Sequence, residues 1–219
     1  SAENLGFGKA NNLGIEIAYK NGADFFYLMN QDAWIFENSI QNLLDVYENH
    51  QKKEEIGILS PMHLDGSEQF LDLFLDKYIS HNFENRMISD LYLNLTKSFY
   101  EISFINAAHW FIPKHTVETI GGFNPYFFHY GEDNEYVNRL HFHGKKILLC
   151  TESKVVHDGK QNLGKVDYNK FRDLTLETRI LNPNEKNALE GIKKSLFQSI
   201  FKNIMTGNFN ASKKLYKTY

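Results

Sequence analysis

The sequence predicts an α/β protein in which helices flank a mixed, mostly parallel sheet. Short apolar runs typical of strands alternate along the chain with segments whose apolar residues have helical spacing. Apolar residues make up 42% of the 219 residues, which is enough to form a sizeable core. Because sheets of this kind bind ligands at the carboxyl ends of their strands, side chains at those ends are the first candidates for a site.

The first predicted strand is the apolar run FFYLM at residues 25–29, which follows a helix at 12–21. Ser39 is expected to cap the next helix, whose apolar positions have helical spacing. A second buried strand, IGILSP, is expected to end at Pro61. Residues 62–100 alternate apolar and polar residues without one period, and we expect a hairpin there, or a strand plus a loop.

The remaining predicted elements lie between residue 101 and the C-terminus. They are a strand pair or one long strand at 101–113, helices at 114–120 and 132–143, strands at 145–150 and 153–158, and a basic helical segment from residue 168. We therefore expect a main domain at 1–165 and a C-terminal helical extension at 166–219.

Composition excludes several classes of protein. The net charge of −3 argues against a nucleic-acid-binding protein that relies on overall basicity. Cys150 is the only cysteine, so no internal disulfide can form and a reducing, cytoplasmic location is expected. No apolar run approaches the roughly 20 residues of a transmembrane helix.

The segment Asn30-Gln31-Asp32 follows the first strand directly. A carboxylate at a strand end can bind a divalent cation, which in turn can bridge two phosphates. The alternative is that Asp32 only stabilises the turn after the strand.

Two further motifs contain candidate catalytic side chains. In YGEDNEY, Glu132 and Asp133 lie in the first turn of a predicted helix, where one of them can act as a general base or simply complement the helix dipole. His157 ends the predicted strand SKVVHD, and its imidazole can bind a transition metal such as Mn²⁺ or have a purely structural role.

In combination, these motifs resemble the family-2 nucleotide-sugar glycosyltransferases of the GT-A fold, and most closely the bacterial rhamnosyltransferase-like members. The matching order is an entry rich in glycine and asparagine, a strand followed by Asn-x-Asp, the segment GGFNPYFFHYGEDNEYVNRL, and a strand that ends in histidine. The resemblance covers residues 3–158, and GGFNPYFFHYGED is its most specific part.

The resemblance implies a role for each motif. Asp32 would bind Mg²⁺ or Mn²⁺ on the donor diphosphate, with Asn30 replacing the first acidic residue of the family's Asp-x-Asp motif. Asp133 would be the catalytic base with Glu132 beside it, and His157 would lie near the metal. The residues implied at the nucleotide are Asn4, Gly6, Asn11 and Asn12. Residues 62–100 and 106–110 are expected to shape the acceptor side, with candidate contacts at His109 and Trp110, although a large aromatic side chain such as Trp110 is as often part of the core.

These roles describe the inverting transfer of a sugar from a nucleotide-diphosphate sugar to a hydroxyl of a saccharide or a lipid-linked saccharide. Such a reaction belongs to the synthesis of surface polysaccharides or glycoconjugates. One base without an enzyme nucleophile implies a single displacement. Two alternatives stay open: an inactive module that binds nucleotide or carbohydrate, and a membrane-associated scaffold.

Both ends of the chain raise expectations of their own. Relatives have an apolar strand and two further βα units before ENLGFG. We expect this chain to lack them and so to bind donor poorly or not at all. The sheet edge and core exposed in this way carry a risk of homo-oligomerisation or aggregation. Residues 191–219 contain six lysines and no acidic residue. This basic amphipathic stretch is suited to an anionic membrane surface at the inner face of the plasma membrane, or to ordinary helix packing on the domain. Its apolar positions on one helical face are Ile192, Leu196, Ile200, Phe201 and Ile204.

Overall fold

The computed structural model describes residues 3–81, 85–159, 168–210 and 213. The chain divides into two units, residues 1–166 and 167–219. The helices are α1 (Gly6–Lys20), α2 (Ser39–Asn49), α3 (Leu73–His81), α4 (Met87–Tyr92), α5 (Lys114–Ile120), α6 (Glu132–Phe142), α7 (Tyr168–Ile180) and α8 (Ala188–Met205). The strands are β1 (Phe25–Met29), β2 (Ala33–Ile35), β3 (Ile56–Leu64), β4 (Phe99–Ile102), β5 (His109–Pro113) and β6 (Lys146–His157).

The first unit is α/β, with an open, mixed sheet in the order β1-β5-β3-β6-β2, and β4 also pairs with β6. Within the described residues only the β3–β6 pair is parallel, and the other four pairings are antiparallel. The prediction of a mostly parallel sheet is therefore wrong. Apolar composition indicates that a strand is buried, but it does not indicate the direction in which the strand runs.

Strand direction determines which side chains meet at one edge of the sheet. β5 is antiparallel to both β1 and β3, and β3 is parallel to β6. Consequently β1, β3 and β6 run in the same direction, and their carboxyl ends lie at the edge where β5 begins. The pairing of Met29 with His109 and of His63 with Val155 shows this alignment residue by residue.

The core lies on both faces of this sheet. Along β5, Trp110 and Ile112 belong to one buried cluster and Phe111 belongs to the other, as the alternation of side chains in a strand requires. The first cluster includes residues of α1, α3 and α6, and the second packs against α2. Cys150 is fully buried in the second cluster, and burial raises the pKa of its thiol.

Several element predictions are confirmed and several are wrong. β1 and α5 have the predicted bounds, and α6 begins at the predicted Glu132. α1 begins at Gly6 rather than at residue 12, and β3 continues beyond Pro61. Ser39 is the first residue of α2 and makes no cap, because its hydroxyl accepts from Phe36 N and donates to Lys154 O.

Residues 62–100 form the end of β3, a short antiparallel turn in which Leu64 pairs with Leu71, two helices and the start of β4. The expected hairpin is therefore present only in this turn, and the two helices were not predicted. Leu75 and Ile79, four residues apart on α3, are buried in the first core cluster, so the helical face lies within the mixed pattern. The strands β4 and β5 within 99–113 pair with other strands and not with each other, while the two strands expected at 145–158 form the single strand β6.

The second unit contains the helices α7 and α8 among its described residues. On α8, Ile192 is buried and Leu196 and Ile200 are half-buried, whereas Phe201 and Ile204 are exposed. No helix in the described part of the chain is both long enough and apolar enough to cross a bilayer.

Candidate functional site

The turn that contains Asn30 and Asp32 is attached by its backbone to two other strands. Asn30 N donates to Ala108 O at 3.0 Å, and Asp158 N donates to Asp32 O at 2.9 Å. β2 then pairs with the end of β6, so that Ala33 lies opposite His157. This backbone pairing brings residues 30–32 and 157 together even though 125 positions separate Asp32 from His157.

The side chains of Asp32, Asn30 and His157 converge on one point. Asp32 Oδ1 lies 3.9 Å from His157 Nε2, and Asn30 Nδ2 lies 3.5 Å from the same nitrogen. The His157 side chain is 9% exposed and that of Asp32 is 45% exposed. The cluster therefore has a buried imidazole on one side and is accessible to solvent on the other.

These three side chains fit a divalent cation. A carboxylate and an amide oxygen suit Mg²⁺ and Mn²⁺, and an imidazole nitrogen favours a transition ion such as Mn²⁺. Ligands that each lie about 2.1 Å from an octahedral ion are roughly 3 Å apart, so the observed separations need only a small closure. Rotation of the Asn30 amide by half a turn would present its oxygen in place of its nitrogen.

Asp72 is a site residue that the sequence interpretation missed. Its Oδ2 lies 2.9 Å from His157 Nδ1, and the Asp72 side chain is only 5% exposed. A cavity of about 350 Å³ adjoins this pair. Its lining includes Asp65, Gly66, Asp72, His157, Asp158 and Gly159. The local signal for Asp72 was its place just before the helical pattern of α3, which is typical of a cap.

Two more histidines are buried behind this cluster. His109 Nε2 lies 3.0 Å from Val156 O, and Tyr27 OH lies 2.7 Å from His109 Nδ1, so the ring can donate to the carbonyl and accept from the hydroxyl. His63 Nε2 lies 3.2 Å from Ser60 Oγ. Burial lowers the pKa of His109 to about 4 and that of His63 well below its usual value, so both rings are neutral at pH 7.

The prediction that His109 and Trp110 lie on an acceptor surface does not fit their positions. Both are fully buried. Trp110 stacks on Phe123, with ring centroids 5.7 Å apart, inside the first core cluster. Both faces of β5 are covered, since Trp110 belongs to the first core cluster and the neighbouring Phe111 to the second.

The second group of candidate residues begins α6. Tyr130 and Gly131, just before Glu132 and Asp133, both have left-handed backbone, with φ of 70° and 91°. Glycine adopts this conformation freely, but tyrosine does so at a cost of roughly 1–3 kcal/mol. Such strain is concentrated at functional sites, and here it sets the direction in which the two carboxylates enter the helix.

Both carboxylates hold their protons more tightly than usual. Burial, and then the charge of Asp133, raises the pKa of Glu132 to about 7. Glu132 is 6% exposed, and its Oε2 has no hydrogen-bond partner among the described residues. Burial also raises the pKa of Asp133, although its Oδ1 accepts from Asn134 N at 2.7 Å and from Asn134 Nδ2 at 3.0 Å.

Tyr78 on α3 connects the two groups of residues. Burial raises the pKa of its hydroxyl, and the negative charges of Asp133 and Asp72 raise it further. Because coulombic interactions weaken with distance, the Tyr78 hydroxyl lies within electrostatic range of both carboxylates. One charged residue from each group therefore acts on the Tyr78 hydroxyl.

The residues implied at the nucleotide all lie at or in α1. Asn4 Oδ1 accepts from Gly6 N, and Asn11 Nδ2 donates to Phe7 O within the helix. Asn12 makes two hydrogen bonds to the backbone of Phe123, at 2.8 and 2.7 Å. In this structure Asn12 thus holds the segment that leads to Glu132 and Asp133.

Taken together, one edge of the sheet presents a cluster of side chains that could hold a cation, and the start of α6 presents a pair of carboxylates with raised pKa. The cluster can hold a divalent cation against an anionic ligand, and a carboxylate of this kind can accept a proton near neutral pH. No protein-family model matches the chain, and no curated protein matches it.

Proposed function

We propose that this chain is the catalytic part of an inverting, metal-dependent glycosyltransferase of the GT-A fold. The reaction would transfer a sugar from a nucleotide-diphosphate sugar to the hydroxyl of a saccharide or lipid-linked saccharide acceptor. The proposal rests on one observation above all, the convergence of Asp32, Asn30 and His157 at the strand ends. The family resemblance of the segment that ends in Glu132 and Asp133 supports it.

The leaving group explains why a cation cluster is needed. When the bond between sugar and diphosphate breaks, negative charge grows on the diphosphate, and a bound Mg²⁺ or Mn²⁺ supplies the compensating charge. Asp32 and His157 would hold this ion, and Asn30 would complete the set on the protein side. The half-exposed position of Asp32 leaves room for phosphate oxygens.

The acceptor hydroxyl must lose a proton as it attacks the sugar from the opposite face. In this proposal Asp133 accepts that proton, and partial burial raises its pKa and so makes it a better base. General-base catalysis of this kind typically contributes about 10²–10⁴-fold in rate. Glu132, with its pKa of about 7, would be partly protonated at neutral pH and would so limit the negative charge beside Asp133.

A catalytically inactive module that binds nucleotide or carbohydrate is the alternative in the same site. Such a module would use the cation cluster but would not depend on Asp133. Sugar transfer that falls about 10²–10⁴-fold in Asp133→Asn, with nucleotide binding unchanged, would favour the enzyme over the module.

The decisive experiment is calorimetric titration of the chain with UDP, GDP and dTDP, each with and without Mn²⁺. We expect weak binding of at least one nucleotide, only when Mn²⁺ is present, and we expect Asp32→Asn to weaken that binding further, by at least about 10-fold. Asp24→Asn is the matched control, because Asp24 is an exposed carboxylate at the opposite end of the same strand β1. Nucleotide binding that does not depend on Mn²⁺, or whose affinity is unchanged in Asp32→Asn, would contradict the proposed role of the cluster.

We also propose that α8 contacts an anionic membrane surface. Phe197, Phe201 and Met205 follow one another at four-residue spacing and are 80%, 63% and 72% exposed. Lys193 and Lys194 lie on the same helix, and residues 191–219 contain no acidic residue. Exposed aromatic side chains beside lysines suit the boundary between acyl chains and anionic headgroups.

A further inference from the structure

His157 and Asp72 form a buried pair at the site edge. His157 Nδ1 lies 2.9 Å from Asp72 Oδ2, and the side chains are 9% and 5% exposed. A carboxylate only accepts hydrogen bonds, so a neutral His157 that bonds to it must have its proton on Nδ1. The other ring nitrogen, Nε2, then has a lone pair that can accept from the Asn30 amide, 3.5 Å away, or bind a cation.

Asp72 is held so firmly that it can impose this arrangement. Its backbone N donates to His63 O at 2.9 Å, at the end of β3. Its Oδ1 accepts from Phe74 N at 2.9 Å and so caps the start of α3. One carboxylate oxygen is therefore committed to the helix, and only Oδ2 is available to the imidazole.

This lone pair faces Asn30 and Asp32, since Nε2 is the His157 atom that lies near both side chains. We propose that Asp72 is a positioning residue that fixes the Nδ1–H tautomer of His157 and so presents Nε2 to a divalent cation held with Asp32. The cation part of this inference rests on the proposed function, but the tautomer part does not. Ligand histidines commonly donate their second ring N–H to a carboxylate in this way.

A competing arrangement uses the same residues differently. His63, Asp72 and His157 offer ligand atoms that all lie within 4.8 Å of one another, so they could hold a metal ion among themselves. However, both oxygens of Asp72 already have partners, and His63 Nε2 lies 3.2 Å from Ser60 Oγ. These contacts favour the arrangement in which His157 Nε2 faces Asn30 and Asp32. They disfavour the arrangement in which His63, Asp72 and His157 bind an ion among themselves.

The test is long-range ¹H–¹⁵N NMR of the ¹⁵N-labelled chain at mildly alkaline pH, with the His157 signals assigned from the spectrum of His157→Gln. Wild-type His157 is expected to have its proton on Nδ1. In Asp72→Asn the amide oxygen must stay with Phe74 N–H, so the amide NH₂ faces Nδ1, and the proton is expected to move to Nε2. The control is Asp65→Asn, because Asp65 lines the same cavity but bonds to Ser67 and the backbone.

The second measurement is Mn²⁺ affinity by electron paramagnetic resonance on the same proteins. Asp72→Asn is expected to weaken Mn²⁺ binding about 10–100-fold, and Asp65→Asn is expected to leave it unchanged. The wild-type NMR spectrum is decisive even if Asp72→Asn does not fold, because a proton on Nε2 of wild-type His157 overturns the inference.

Two other outcomes separate this inference from the proposed function. If Mn²⁺ binding survives Asp32→Asn but is lost in His63→Gln, the ion lies within the group of three and the positioning role of Asp72 is overturned. If the tautomer changes as expected in a protein that binds no Mn²⁺, the role of Asp72 in orienting His157 is supported while the proposed function is contradicted.

Discussion

Glu132 combines deep burial with an oxygen that has no hydrogen-bond partner among the described residues, and this makes stability depend on pH. Its pKa is about 7 in the folded chain and 4.5 ordinarily. The folded state therefore binds the proton more tightly, and the stability that this binding contributes is present below pH 4.5 and lost as pH rises through 7. The loss amounts to up to about 3 kcal/mol.

Glu132→Gln cannot ionise, so its free energy of unfolding is expected to rise relative to wild type as pH increases from 4 to 8. The gap should grow by up to about 3 kcal/mol, measured by urea unfolding at each pH. His109 has the opposite dependence, but it is present in both proteins and cancels in the difference. Glu152→Gln, a change at an exposed position, should give a constant gap. A difference in the free energy of unfolding between Glu132→Gln and wild type that does not change with pH would contradict the burial argument.

The individual site residues differ in how far the sequence predicts them. Asp32 and His157 each end a strand-like run, and strand ends meet at one edge, so their proximity follows from the pattern. Asp72 forms its contact with a residue 85 positions away, and its local sequence indicates only a helix cap. His109 lies in a strand, as expected within 101–113, but its predicted acceptor contact is wrong, because the local sequence does not show which faces of a strand other elements cover.

Helix α1 and the segment before α6 are joined by the paired hydrogen bonds between Asn12 and the Phe123 backbone. Gly122 permits this contact, since a Cβ there would lie 2.4 Å from Asn12 Oδ1. Asn12→Ala is expected to lower the free energy of unfolding by about 1–3 kcal/mol, because two polar backbone groups lose their partner. Asn11→Ala, one position away with a bond inside the helix, should change it by only about 0.5 kcal/mol. Equal effects of the two changes in urea unfolding would contradict this structural role.

Helix α8 is expected to bind vesicles that contain roughly one-third phosphatidylserine in phosphatidylcholine, and to bind pure phosphatidylcholine vesicles much more weakly. Salt should weaken the binding, because the lysine contribution is electrostatic. Replacing both Phe197 and Phe201 by serine should abolish co-sedimentation with the vesicles. Phe142→Ser is the matched control, since Phe142 is 57% exposed but lies on α6. Binding that is unaffected by the double change would contradict a role for this face.

The helices between β3 and β4 illustrate why element prediction fails locally. In the segment 62–100, large apolar residues occur at both the buried and the exposed positions of two short helices. In α3 and α4, Leu75, Ile79 and Met87 are buried while Leu73, Phe74 and Ile88 are exposed, so no single period emerges from the sequence. By contrast, the bounds of β1 and α5 follow from sharp changes in composition at both ends.

Sheet topology was the largest error in the sequence prediction, and its cause is physical. The alternation of strands and helices is shared by parallel sheets and by mixed sheets in which an antiparallel strand enters after a long excursion. Here the chain forms α3 and α4 within residues 65–98, and β5 later pairs between β1 and β3. The opposite direction of β5 depends on contacts across the sheet, which no local pattern encodes.

Both core clusters lie within residues 1–166, so this unit is expected to unfold cooperatively on its own. Both tryptophans of the chain, Trp34 and Trp110, belong to this unit, which makes their fluorescence a specific reporter. A chain of residues 1–166 should therefore give a single sigmoidal urea transition. A gradual change without a pre-transition baseline would contradict an independent core.

The fully buried Cys150 makes the rate of thiol labelling a reporter of local unfolding in this protein. The Cys150 thiol is buried between β-strands and α2, so a thiol reagent can reach it only when the second core cluster unfolds. The labelling rate therefore measures that unfolding directly. For the same reason, a cysteine introduced on the surface can be tagged selectively while Cys150 stays in place. A fluorophore or spin label could thus be attached beside Asp32 or on α8 without altering the native core.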